Sequence, residues 1–142
     1  MADLYEAIKA EFDAAESLCG SASVDAVFDE LHFGEVGNPT DVPVPYCTMT
    51  EPQEPKSEGG FARTVFVQET FSFVIVESTE ELAASRAALV NAVFDSMSLR
   101  LTATGLKSLR LEKMNQAFEQ ADEDRWGCMI AYQASYFRRR PA

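Results

Sequence analysis

The stretch from Thr64 to Val76 alternates so regularly that it admits little except a long strand with one face in a core. Val65, Val67, Phe71, Phe73 and Ile75 point one way, interrupted by Glu69. Phe66, Gln68, Thr70, Ser72, Val74 and Val76 point the other. Successive side chains of a strand leave opposite sides of the sheet, so the first set has to be covered and the second does not. The pattern returns near the end of the sequence, where Trp126, Cys128, Ile130, Tyr132, Ala134 and Tyr136 share a face that must be buried. One-sided strands of this kind predict an antiparallel-rich mixed sheet with helices on one face.

The cover is legible on either side of the long strand. Asp3 and Glu6 form a capping box, followed by Leu4, Ile8, Phe12 and Ala15 on one helical face, and the helix is expected to end near Cys19-Gly20. Between Ser23 and Glu35, Val24, Val27, Phe28 and Leu31 are helix-spaced, while Leu31, Phe33 and Glu35 suit a strand. A short turn running into a strand over Glu30–Val36 is the reading adopted. Pro39, Pro43 and Pro45 make Gly37–Pro45 a loop, Tyr46–Thr50 a strand leaving Pro45, and Glu51–Gly60 a second polar loop. Ser78 caps a second helix with Glu81 at the box position, and Leu82, Leu89, Val90, Val93 and Met97 form its apolar stripe, into which Arg86 intrudes. The opposite face of that helix, Ala84, Ala88, Asn91 and Asp95, carries a single charge. Solvated faces normally carry more, which makes it a candidate subunit contact. Leu99–Leu106 turns through Gly105, and strands over Ser108–Phe118 and Trp126–Arg138 are joined by an acidic tip, Glu119–Arg125. The expected order is α–β–β–β–α–β–β, an α+β fold in one domain spanning residues 1–142.

Charge is spread unevenly. Residues 1–60 hold 13 acids against Lys9 and Lys56, whereas residues 61–142 hold 10 acids and 10 bases, so the whole excess of −11 sits in the first part. Such a field opposes phosphate contacts, which need clustered Lys and Arg, and excludes specific nucleic-acid binding. No apolar run reaches membrane-spanning length, and Asp3, Glu6 and Glu11 stand where a signal peptide would carry bases, so synthesis in the cytosol is expected. Cys19, Cys47 and Cys128 are odd in number and widely spaced, which reads as three free thiols in a reducing compartment.

Chemistry-bearing patterns are absent from the sequence. His32 is the only histidine, which removes paired-His metal sites and leaves only His32 as a base for a Ser or Cys nucleophile. Asp122, Glu123 and Asp124 lack the spacing and central glycine of a calcium loop, and Gly59-Gly60 opens no helix and so cradles no phosphate. No catalytic residue, metal ligand or cofactor is expected. Arg138, Arg139 and Arg140 are the one basic cluster, a second candidate subunit contact that an acidic patch on a neighbour would suit. Glu51, Pro52, Glu54, Pro55, Lys56, Gly59 and Gly60 form a loop long enough to dock a partner.

Several elements taken together resemble a known family. They are the Pro45-Tyr46 strand start, the Phe-rich Thr70–Val76, the polar-capped helix from Ser78 to Val90 and the closing strand from Trp126 to Arg138. In this order they resemble the tail-completion proteins of long-tailed phages, the tail terminator or tail-to-head joining family, found also in prophages and gene-transfer particles. The resemblance implies a structural virion protein without enzyme activity, made in the host cytoplasm and resident in the tail or neck. It implies a homo-oligomeric ring, commonly of six subunits, that caps the tail tube and ends its polymerisation. The ring would offer its other side to the head-completion or stopper protein, with DNA passing through the middle. The alternatives are another neck or minor tail component, such as a head-completion stopper, and a cellular small-molecule-binding α/β domain.

Overall fold

Strand β4, Thr64–Glu77, is the axis of the molecule and is paired along its full length with β6, Arg125–Arg139. In the computed structural model, which describes residues 4–34, 41–50, 56–58, 64–94 and 107–139, the register runs antiparallel from Thr64↔Arg139 to Glu77↔Trp126. On the far side of β6 lies β5, Lys107–Asp122. The other edge of β4 is shared. Strand β2, Tyr46–Met49, pairs with its second half, and β3, Lys56–Glu58, with its first half. A two-residue strand β1, His32–Phe33, lies parallel to β2 and completes a six-stranded sheet.

One face of this sheet is the core. Val67, Phe71, Phe73 and Ile75 of β4 and Cys128, Ile130, Tyr132, Ala134 and Tyr136 of β6 are all buried, as the alternation predicts. They are covered by helix α1, Leu4–Ala14, through Leu4, Ile8 and Phe12, and by helix α3, Glu80–Phe94, through Ala83, Ala87, Val90 and Phe94. Phe12, Phe73 and Phe94 meet at this junction, with the Phe73 ring 4.9 Å from Phe94 and 6.3 Å from Phe12 between centroids. The fold is α+β, with its helices on one face of a mostly antiparallel sheet.

Local expectations are corrected in several places. The first helix does not run unbroken to Cys19. Ala15 is extended, and a separate turn of helix, α2, spans Glu16–Cys19. That turn carries Leu18, which is fully buried. Gly20 then turns the chain at φ +79, where an added Cβ would stand 2.7 Å from the Ala26 amide nitrogen. Only glycine fits there. The segment beyond folds back on α2, with the Val27 and Phe28 amides both donating to the Leu18 carbonyl. Lys9 Nζ donates to the Leu31 carbonyl at 2.8 Å and the Leu31 amide to Asp13 at 3.0 Å. These contacts engage the Phe28 amide and both backbone groups of Leu31, and the strand expected over Glu30–Val36 forms only at His32–Phe33 among the described residues.

The second helix is capped by Thr79 rather than Ser78. The Leu82 amide donates to Thr79 Oγ1 at 3.2 Å, while the Ser78 amide and hydroxyl both donate to Glu77. Its core stripe is Ala83, Ala87, Val90 and Phe94; of the expected stripe Val90 is buried, Leu89 and Val93 pack half-buried against the core, Leu82 is exposed, and Met97 lies outside the described residues. Alanines win this face because the sheet beneath already supplies Phe71, Phe73 and Tyr132, and a helix seated over rings needs small contacts. Arg86 does not intrude into the stripe. It lies at the flank, 3.6 Å from the buried carboxylate of Glu77. Thr79→Ala is expected to cost about 1 kcal/mol in urea denaturation and Ser78→Ala less, because only the first removes a side chain that caps an amide.

The hairpin tip is also tighter than expected. Strand β5 continues to Asp122, leaving only Glu123 and Asp124 in the turn, with the Asp124 amide donating to Asp122 Oδ1 at 2.8 Å. Within the expected Glu51–Gly60 loop, Lys56–Glu58 form β3 instead. Strand β2 pairs only with Phe73–Val76 of β4, and β3 takes up part of the edge that remains, at Phe66–Gln68.

Candidate functional site

His32, the one histidine, lies at the edge of the sheet. His32 stacks on Tyr46, with centroids 4.3 Å apart and planes at 12°, and its Nε2 lies 3.2 Å from Asp29 Oδ1. Glu30 approaches the other ring nitrogen at 3.9 Å. Asp29, Glu30 and His32 are the one group of potential metal ligands among the described residues. Their arrangement is poor for an ion. The two carboxylates address opposite nitrogens of one imidazole, and Lys9 Nζ already lies 3.4 Å from Glu30. Partial burial alone would raise the Asp29 carboxyl, but hydrogen bonds from the Glu30 amide and from His32, with the attraction of His32, together outweigh it and hold the group below its usual range.

The three cysteines are free, and none approaches an activated thiolate. Burial pushes the Cys19 thiol up to about 11, reinforced by Asp13 and Asp29. Burial likewise raises Cys47 and Cys128. Protonated thiols are poor nucleophiles. A disulfide reagent at pH 8 is therefore expected to label the native protein slowly, at Cys19 first, and all three thiols quickly in denaturant. Fast native labelling of Cys47 would contradict the packing.

What the chain presents is surface. The second face of the sheet has no described element across it. Rows across β4, β6 and β5 place Phe66 beside Phe137, Thr70 beside Gln133 and Glu112, Ser72 beside Ala131, and Val74 beside Met129 and Ala117. Apolar groups thus gather at the two ends with a polar middle. Met129 and Phe137 are each 40% exposed, and Met114, in the bulge of β5, 56%. A hollow of about 330 Å³ lies over Val74, Ala117 and Met129, and another of about 270 Å³ over Thr50, Ser72 and Met114. Among the described residues that line them, Glu119 is the one carboxylate, and there is no Lys, Arg or His. This face can hold another surface.

The candidate contacts read from sequence fall in different places. Ala88 is exposed and Ala84 half-buried on the outer side of α3. Asn91 is taken up inside the subunit, accepting a hydrogen bond from the Tyr132 hydroxyl and donating to Gln116 at 3.4 Å. Asp95 lies outside the described residues. Arg138 and Arg139 end β6 opposite Val65 and Thr64, while Arg140 lies outside. Of the loop positions, Lys56 opens β3 opposite Gln68, and Glu51, Pro52, Glu54, Pro55, Gly59 and Gly60 lie outside the described residues. The end of the Gly37–Pro45 loop is held to the hairpin by Arg125, which donates to the Val42 carbonyl. Compared with known proteins, no family model and no curated sequence matches the chain. The open sheet face was missed in the sequence, although its signal was there: Val74, Met129 and Phe137 occupy the side of each strand that alternation leaves uncovered.

No helix among the described residues is long and apolar enough to cross a membrane.

Proposed function

We propose that this chain is a structural assembly subunit of the tail-terminator kind, building a ring that caps a tail tube and joins it to head-completion proteins. The observation that carries the assembly reading is the uncovered sheet face. A contiguous set of Met114, Ala117, Met129 and Val74 on one side of a rigid sheet suits a partner surface. Support also comes from the sites that would serve chemistry, since the thiols are held protonated and His32 is stacked and clamped between carboxylates. The tube-and-neck assignment rests on the resemblance in element order. The acidic excess fits a ring through which DNA slides without sticking.

Two substitutions test it. Met129→Lys places a charge in the open face at an exposed position, where stability is expected to change by less than about 0.5 kcal/mol. Particles carrying it are expected to lose joined heads and tails while the isolated domain keeps its circular dichroism. Ala88→Arg, on the outer side of α3, is expected to reduce ring size in the same way. Normal yields of joined particles from both variants would sink the assignment of these faces to assembly.

A further inference from the structure

Strand β5 is the outermost strand of the sheet, and no described strand pairs with its far side. It runs for 16 residues, where strands usually run about 5–6. Unpaired amides and carbonyls along such an edge are a template for another strand. From Arg110 to Gln120 every side chain is exposed except Leu111 and Gln116, which are half-buried.

The irregularity in mid-strand decides which strand fits. Arg110 and Glu119 are nine positions apart and would face opposite sides of an unbroken strand. The register shift between Lys113 and Asn115 changes that, setting Arg110 opposite Ser135 and Glu119 opposite Gly127, two residues on the same side of β6. Leu111 and Phe118 lie together on the helix side, opposite Ala134 and Cys128. Lys113 and Gln116 do the same, opposite Tyr132 and Ile130. The strand is therefore sided symmetrically about the point between Met114 and Asn115. Its charge is not symmetric: Lys107, Arg110 and Lys113 precede that point against the single acid Glu112, and only acids, Glu119 and Asp122, follow it. Among the described residues neither Arg110 nor Glu119 has an ion-pair partner.

We propose that β5 pairs antiparallel with β5 of a second copy of this chain, across a two-fold axis between Met114 and Asn115. In that register Arg110 meets Glu119 of the second copy, Leu111 meets Phe118, and Lys113 meets Gln116, each pair on a common face. The bulge falls on the axis, and the two sheets become one. Phe118, 39% exposed in the single chain, gains an apolar neighbour. A two-fold contact closes at two copies. It is made through the free edge of β5, away from the outer side of α3, and meets the open sheet face only along its rim at Arg110, Met114 and Glu119.

Light scattering over a dilution series tests the contact with charge exchange. The unmodified chain is expected to reach the mass of two copies. Arg110→Glu alone creates two like-charged pairs across the axis, as does Glu119→Arg alone, and each is expected to raise the dimer Kd by about tenfold or more. The double variant R110E/E119R restores both pairs and is expected to return the Kd to within about threefold of the original. The two positions lie roughly 30 Å apart along one strand, so they cannot compensate within a single chain. Native circular dichroism is expected of all three variants, since both positions are exposed. A chain that stays monomeric throughout would overturn the proposal and make the bulge a device that keeps the edge single. A dimer indifferent to the single reversals, or one the double variant fails to restore, would overturn it too. A six-copy species indifferent to both reversals would support the ring while overturning this contact.

Discussion

Phe73→Ala is expected to destabilise the protein by about 3–5 kcal/mol in urea denaturation, the range for deleting a fully buried aromatic ring. Phe73 has no exposed surface and sits on β4 with β2 on one side and β6 on the other. Its ring contacts Phe71, Phe94, Tyr132 and Phe12 at centroid distances from 4.9 to 6.3 Å. Removing it opens a cavity where both long helices meet the sheet, and neighbours held by their own strands can close it only in part. Domains hold only about 5–15 kcal/mol in total, so this change alone takes a large share. Phe73→Leu, which keeps most of the volume, is expected to cost less than half as much. A loss below about 1 kcal/mol for Phe73→Ala would mean that α1 and α3 do not close over this face.

The second large effect is electrostatic. Glu77 ends β4 with its side chain only 5% exposed, accepting hydrogen bonds from the Ser78 amide and hydroxyl, and Arg86 stands beside it from α3. Arg86→Met keeps the aliphatic stem but leaves a carboxylate in the strand-to-helix turn without its cation. Breaking a buried pair from one side typically costs about 3–5 kcal/mol. Arg86 is 29% exposed, and water screens part of the interaction, so about 2–3 kcal/mol is expected here. The double variant Glu77→Gln/Arg86→Met is expected to recover more than half of that loss, because the uncompensated charge is gone. Equal destabilisation of the single and double variants would show that the stem of Arg86, rather than its charge, carries the effect.

The two long strands were legible because a single rule, alternation, acts along Val67–Ile75 and Cys128–Tyr136, and burial follows it except at Glu69, which is half-buried on the core side. Helix α3 was legible as a helix and in its orientation only in part, since Val90 is buried and Leu89 and Val93 pack at the flank while Leu82 is exposed. Its aliphatic residues lie at Leu82, Leu89, Val90 and Val93, and apolarity alone points to them, whereas the face that docks is chosen by fit against Phe71, Phe73 and Tyr132. Side-chain competition hid the caps in the same way. Ser78 and Thr79 are equivalent as capping residues, and Glu77, by engaging Ser78, leaves Thr79 to the helix. The short elements β1 and β3 carry no pattern of their own and exist because β2 and β4 present open edges beside them. Edge and open-face surfaces were the least legible, since a residue left uncovered by its own chain is defined by what the rest of the fold fails to reach.

The central claim is that this chain acts by occupying a place in a larger particle. Gold-labelled antibody against the chain, applied to purified particles from the source that encodes it and imaged by electron microscopy, tests this most directly. The account predicts label confined to the junction between tail tube and head, and averaged images showing a closed ring at that point. Particles carrying no label, with the chain recovered as a soluble monomer that retains a small molecule, would contradict it.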